Sequence, residues 1–300
     1  PLFEPRFVDM ALDGIVEEFL NESKLESFIS RYQFPEKPPK HVGLILAGNI
    51  PLVSFHDIMM VYLSGHIATI KASSKDDFLT PLIWKLLEKV DPGASEQLHW
   101  VDNLKNIDAV IATGSDNSFR YFDHYFKDVP SILRRNRTSV AILKGNETDA
   151  DLDKLVEDML SYFGLGCRNV AHLLVPEGFD MQRIFMRSEH FSWLADHQAY
   201  RNNHDYRLAM YIMNRDEHFA NGLFTLRNSK DLKAPLGVVH YHHYSGEEEK
   251  SKWIAEKRES IQCVVGKDDG MISFGSAQKP AIDDFADGVD VVRFLLRLFN

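Results

Sequence analysis

Cysteine is nearly absent, with two in 300 residues. That count excludes a disulfide framework and suits a reducing compartment, so a cytoplasmic protein is expected. No apolar run reaches bilayer length, which sets aside integral membrane contact. Positive charge is in deficit: 34 Lys and Arg stand against 44 Asp and Glu, a formal net charge of −10. A chain so acidic is a poor match for a polyanion, and no nucleic-acid partner is expected. The opening residues, PLFEPRF, lack an initiator Met and a signal-like apolar core. Internal repeats, low-complexity tracts, GxGxxG and the Walker signature are missing as well. What is present is the make-up of a folded α/β chain, 44% hydrophobic and 26% charged, long enough for two domains.

The chemistry is expected around residues 161–169, SYFGLGCRN. The preceding residues 149–163 place Leu152, Leu155, Val156, Met159, Leu160 and Phe163 at helical spacing, with carboxylates in the first turn. Gly164 and Gly166 interrupt the pattern, and the apolar run 170–175 then reads as a strand. Cys167 thus falls at a helix-to-strand turn beside the cation of Arg168. Such a cysteine is either a thiolate nucleophile or a small core residue. Cys263, inside SIQCVV, reads as packing.

Residues 7–32 carry two short amphipathic patterns, the second entered through Asn21 or Ser23. A proline-rich connector leads to 42–47, VGLILA, a buried-strand pattern. The turn at Gly48 and Asn49, a helix and the run 67–70 ending at Lys71 complete a strand, helix, strand unit, the building block of a parallel sheet. Ligands bind at the carboxyl ends of such strands, so Asn49 and Lys71 are candidates for one crevice, or else a helix cap and a solvated charge. The run 109–113, AVIAT, reads as a further strand. Gly114 and Ser115 open the next helix, where backbone N–H groups can meet an anion. Arg134, Arg135 and Arg137 read as a solvated patch or a site for a phosphorylated tail. On 238–244, His240 and His242 share one strand face next to His243, which makes a metal site conceivable, but no Cys or carboxylate spacing completes it. Residues 245–257 read as a surface helix, and 281–299 as a docking or oligomer-contact helix.

Taken in order, VGLILAGNIPLVSFHD, IATGSDNSFRYF, the 149–178 stretch and the 202–226 segment resemble the acyl-CoA reductase family. That family is typified by the reductase subunit of the bacterial luminescence fatty acid reductase complex, within the aldehyde dehydrogenase superfamily. The resemblance runs from about Val42 to the end. It implies an α/β, aldehyde dehydrogenase-like fold: a Rossmann-type NADP-binding domain at 1–138 and an α/β catalytic domain at 139–300. Cys167 falls at the catalytic cysteine, and Asn49 at the side-chain amide of the oxyanion hole. Lys71 matches the lysine at the adenosine ribose, and Thr113, Gly114 and Ser115 match the turn at the pyrophosphate, with Ala47, Gly48 and Ser73 beside them. Ser74 stands where NAD-preferring relatives carry a ribose-binding glutamate, which implies NADPH, since a serine does not repel a 2′-phosphate. Phe119 replaces the second glycine of the pyrophosphate turn. Leu133 stands in place of the general-base glutamate of hydrolytic relatives, and Asp231 is a candidate for a second ribose contact.

The expected function is therefore NADPH-dependent reduction of a fatty acyl-CoA or other acyl thioester to an aldehyde through a thioacyl-enzyme. A homo-oligomer is expected, with an acyl-activating partner conceivable. The alternatives are a cysteine-dependent acyltransferase or thioesterase, and a nucleotide-binding protein without catalysis.

Overall fold

In the computed structural model, which describes residues 3–299, the chain divides into two units. One runs up to Asn136 and resumes from Pro280; the other is Arg137–Lys279.

The first unit is built on β1 (His41–Ile45), whose central residues are buried on both faces, as a strand in the middle of a parallel sheet must be. Before it come α1 (Pro5–Glu18) and α2 (Glu22–Ile29), the latter capped by the Asn21 side chain accepting from the Lys24 N–H. After it come α3 (Phe55–Leu63), β2 (Ile67–Lys71), α4 (Leu79–Leu87), the single turn α5 (Ala94–Gln97), β3 (Leu98–Trp100), β4 (Ala109–Thr113), α6 (Asp116–Tyr125) and β5 (Ser131–Arg134). The strand order is β3-β2-β1-β4-β5, and every pairing is parallel. From β1 the chain first moves to one side, through β2 and β3, and then returns to the other. The order reverses between β1 and β4. Neighbouring crossovers leave on opposite faces there, so a crevice opens at the carboxyl ends of those two strands.

The second unit contains β6 (Thr138–Ile142), α7 (Asp149–Leu160), β7 (Val170–Pro176), α8 (Gln182–Met186), α9 (Gln198–Asn214), β8 (His218–Ala220), β9 (Thr225–Asn228), β10 (Val238–Tyr244), α10 (Glu247–Glu256) and β11 (Ile261–Val265). Its sheet runs β11-β6-β7-β10-β9-β8, parallel except for the edge hairpin of β8 with β9. α7 is entered by a capping box in which Thr148 and Asp151 satisfy each other's backbone N–H. It buries Leu152, Leu155, Val156 and Met159. The last helix, α11 (Val291–Arg297), belongs to the first unit, where Val292 and Leu295 are buried and the Leu295 carbonyl accepts from His66. The closing segment is a docked helix.

The histidines of β10 form no metal site. His240 and His172 each donate Nδ1–H to the Asp231 carbonyl at 2.9 Å, because a carbonyl can only accept. That leaves the His172 Nε2 lone pair, and it takes the Nδ1–H of His242 at 2.7 Å. His172 and His242 both pack on Trp253. Among the described residues no group of three or more His, Cys, Asp or Glu is arranged to hold a metal.

Burial lowers the pKa of His172 to about 3 and of His242 to about 4, and lowers that of His240 too. Below the ordinary histidine value the unfolded chain takes up protons that the folded chain refuses. His172 and His242 then each remove about 1.4 kcal/mol of stability per pH unit as the pH falls, and His240 acts in the same direction. Asp158 acts with the opposite sign, since burial raises its pKa to about 7 and its protonated form is the one folding favours. The histidines outweigh the one carboxyl. The urea midpoint should therefore fall between about pH 6.5 and about pH 4, and a flat midpoint over that interval would contradict the assignment.

Candidate active site

The residues expected to hold a dinucleotide converge on the carboxyl edge of the first sheet. β1 ends into Leu46, whose N–H bonds to the Lys71 carbonyl, so the AGN turn is tied to the end of β2. Gly48 sits there because nothing larger fits: a Cβ would stand 2.6 Å from the Ser73 side chain and 3.2 Å from Asp76 Cβ. Beyond it, the Ser54 hydroxyl donates to the Ala47 carbonyl, folding the NIPL loop back on itself. Leu52 within that loop is buried and adopts a left-handed φ of 54°. A leucine in that region costs on the order of 1 to 3 kcal/mol and persists only where its surroundings impose it. Asn49 is carried on this constrained loop, half-buried.

On the other side of the switch point, Thr113 ends β4, and the Gly114 N–H bonds to the Arg134 carbonyl. A Cβ on Gly114 would meet Phe122 and Ser118 at 2.8 Å. Ser115 is the N-cap of α6, accepting from the Ser118 N–H. The backbone here approaches closely and a helix starts beside it, an arrangement that suits an anionic pyrophosphate. Phe119, in the first turn of α6, lies under the Arg135 guanidinium at 3.8 Å from its ring centroid.

The arginine cluster is not one surface patch. Arg134 is buried and paired with Asp57 of α3 at 2.5 Å. The pair holds the helix that follows the NIPL loop to the end of β5. In the KASS turn Ser74 is exposed, and two residues on lies buried Asp76, whose carboxylate accepts from the Thr80 N–H and hydroxyl. Leu133, in β5, packs against the apolar cluster around Phe126.

In the second unit, Cys167 is a partly exposed thiol and Cys263 a buried one, and neither is in a disulfide. α7 stops at Leu160, although the apolar spacing continues through Phe163. Tyr162, Phe163 and Gly164 take φ of 52°, 59° and 72°, a left-handed turn that reverses the chain. Tyr162 and Phe163 are buried, the latter against Trp193, His197 and Tyr200. Burial pushes the Tyr162 phenol up to about 12. Two consecutive non-glycine residues in this region mark stored strain immediately before the thiol.

Cys167 and Arg168 then occupy the centre of a β-turn closed by the Asn169 N–H to the Gly166 carbonyl at 3.1 Å. The turn lies at the amino end of β7. Ser139 donates its hydroxyl to the Cys167 carbonyl at 3.0 Å and accepts the Cys263 N–H at 3.2 Å. Cys263 is therefore packing, as its flanking residues suggested. Arg168 is buried and donates Nε to the Ala277 carbonyl, while Asp158 accepts the Gly275 and Ala277 N–H groups. Asn169, Ser139 and Asp158 had no sequence signal, since each works through a partner eight to more than a hundred residues away.

No protein-family model matches the sequence, and no curated protein is similar to it. Solved structures are. Indole-3-acetaldehyde dehydrogenase of P. syringae, in complex with NAD+ and IAA, superposes with a TM-score of 0.60 at 13% identity, covering 78% of this chain and 57% of that one. Aldehyde dehydrogenase of Mycobacterium tuberculosis, complexed with NAD+, gives 0.57 at 18% identity over 84% of this chain and 65% of its own. Betaine aldehyde dehydrogenase of Staphylococcus aureus with NAD+ gives 0.58 at 15%, over 75% and 54%. The chain thus spans between about half and two thirds of the length of these structures. The fold is the α/β aldehyde dehydrogenase-like one, a Rossmann-type parallel sheet in one unit and an α/β catalytic-type sheet in the other.

These likenesses correct the narrower expectations. The three structures named are aldehyde dehydrogenases with NAD+, and none is an acyl-CoA reductase using NADPH. The luminescence-type resemblance, the thioester-reducing activity, NADPH and an acyl-CoA partner with its oligomeric complex are withdrawn with it. Among the described residues no helix is long and apolar enough to cross a membrane.

Proposed function

We propose that this chain is an aldehyde dehydrogenase-type oxidoreductase that oxidises an aldehyde to an acid with NAD+, using Cys167 as nucleophile. The observation that carries the reading is a partly exposed cysteine three residues beyond a strained left-handed turn, in a fold shared with such enzymes. The first unit is proposed to hold the cofactor. Ala47, Gly48, Thr113, Gly114 and Ser115 would cradle the pyrophosphate, and Lys71, Ser73 and Ser74 the ribose. What supports this is that Gly48 and Gly114 are positions where a Cβ has no room, and that Ser115 opens α6, a helix start that suits an anion.

Bound NAD+ supplies a hydride acceptor. The chain's own residues do the rest. The Cys167 sulfur forms a bond to the carbonyl carbon, and the displaced π pair becomes an oxyanion. Such an oxyanion needs a hydrogen-bond donor, a contribution of about 3 to 4 kcal/mol where such donors have been removed, and the family resemblance assigns that role to Asn49. When the carbon loses its hydride the C=O bond re-forms as a thioester on Cys167. Water then attacks, the acid leaves, and the thiolate returns. Two thiols without a disulfide suit a reducing setting, and the cytoplasm is the proposed one.

The test is NADH formation over a panel of aliphatic and aromatic aldehydes, with acid measured alongside. Equal amounts of NADH and acid are expected. Absence of both across the panel would refute the reading.

A further inference from the structure

We infer that Asn169 is the positioning residue for Cys167, an assignment that rests on the nucleophile reading above. The problem it solves is local. α7 ends at Leu160, the chain turns left-handed over 162–164, and seven residues after the helix ends a nucleophile has to be held still.

One buried side chain bridges that gap. Asn169 Nδ2 donates to the Asp158 carbonyl at 3.0 Å and to the Ser161 carbonyl at 2.8 Å, while Oδ1 accepts the Gly166 N–H at 2.7 Å. Its own backbone closes the turn that contains Cys167, and its carbonyl accepts the Ser139 N–H at 3.2 Å. An amide offers two donors and an acceptor from one planar group, and all three are used here. Aspartate would turn a carboxylate toward two carbonyl oxygens, and leucine of the same shape would leave three buried backbone groups unmatched. The consequence for function is that the Cys167 turn is fixed to the end of a buried helix rather than to the strained segment between them. A displacement of about 1 Å at a reacting atom costs on the order of a hundredfold in rate, which is the scale of error this side chain prevents.

The experiment compares wild type with Asn169→Ala and Asn169→Asp in three readouts: kcat against KM for aldehyde and NAD+, the rate of iodoacetamide alkylation at Cys167 followed by peptide mass, and Tm. For Asn169→Ala the expected result is a fall in kcat of about a hundredfold with KM changed by less than about threefold, and at least a tenfold change in Cys167 alkylation. Asn169→Asp keeps the Gly166 bond and should fall between. A purely structural role would lower Tm and leave kcat per folded enzyme and the alkylation rate unchanged, which would overturn the inference. A wild type without aldehyde activity would refute the functional reading instead, and the alkylation arm would still decide the positional one. Should neither variant fold, hydrogen exchange in the wild type decides: Gly166 N–H is expected to be protected, and exchange at the rate of an open loop would overturn the inference.

Discussion

Cys167→Ala is expected to abolish NADH formation from aldehydes, with a loss of about ten-thousandfold or more, because the covalent route has no substitute nucleophile in the chain. The only other thiol, Cys263, is buried and hydrogen-bonded through Ser139. Cys167→Ser should be nearly as inactive, since a serine hydroxyl has a far higher pKa than a thiol. Structure should survive both changes: Cys167 is partly exposed, and its bond to Ser139 is made by the backbone carbonyl, which neither substitution removes. A variant with unaltered Tm and lost turnover is the expected combination. Turnover within about tenfold of wild type would remove Cys167 from the chemistry.

The second large effect is on stability. Asp57→Ala should cost the first unit about 3 to 5 kcal/mol, because it leaves the buried Arg134 guanidinium without the carboxylate it faces at 2.5 Å. The cost is expected to be asymmetric. Replacing both partners, Asp57→Ala with Arg134→Met, should recover most of the loss, since neither charge then has to be desolvated. Urea denaturation of the two single variants and the double variant measures this directly, and equal losses for all three would contradict the pairing. Because Asp57 belongs to the helix that follows the NIPL loop, the single variant should also weaken NAD+ binding at temperatures where it remains folded.

Much of the framework is legible in the residues. The runs at 42–47, 67–70 and 109–113 are continuous and apolar because parallel strands are covered on both faces. The 149–160 helix announces itself through its acidic first turn and its spacing. The glycine turns after β1 and β4 are legible too, since close approach of backbone requires them. What was not legible lies where a side chain answers to a distant partner. The left-handed turn at Tyr162 and Phe163 continues a helical pattern in sequence and breaks it in space. The arginines at 134, 135 and 137 look alike in a row, yet one is buried in an ion pair and one lies over Phe119. The histidines of β10 suggest a metal by their spacing, but His240 shares the Asp231 carbonyl with His172 of β7, and His242 bonds to that same His172. Cofactor and reaction direction are less legible, because Ser74 and Leu133 are substitutions at single positions, whereas the solved structures to which the chain is similar in fold are aldehyde dehydrogenases with NAD+.

The account stands on a covalent bond between Cys167 and the substrate carbon. The direct measurement is to mix the protein with aldehyde and NAD+, quench in acid within the first turnover, and map the peptides by mass. The expected result is an acyl group on the peptide carrying Cys167, formed in step with NADH and absent when NAD+ is left out. NADH appearing at full rate with no acyl group on that peptide, or with the group on Cys263, would contradict it.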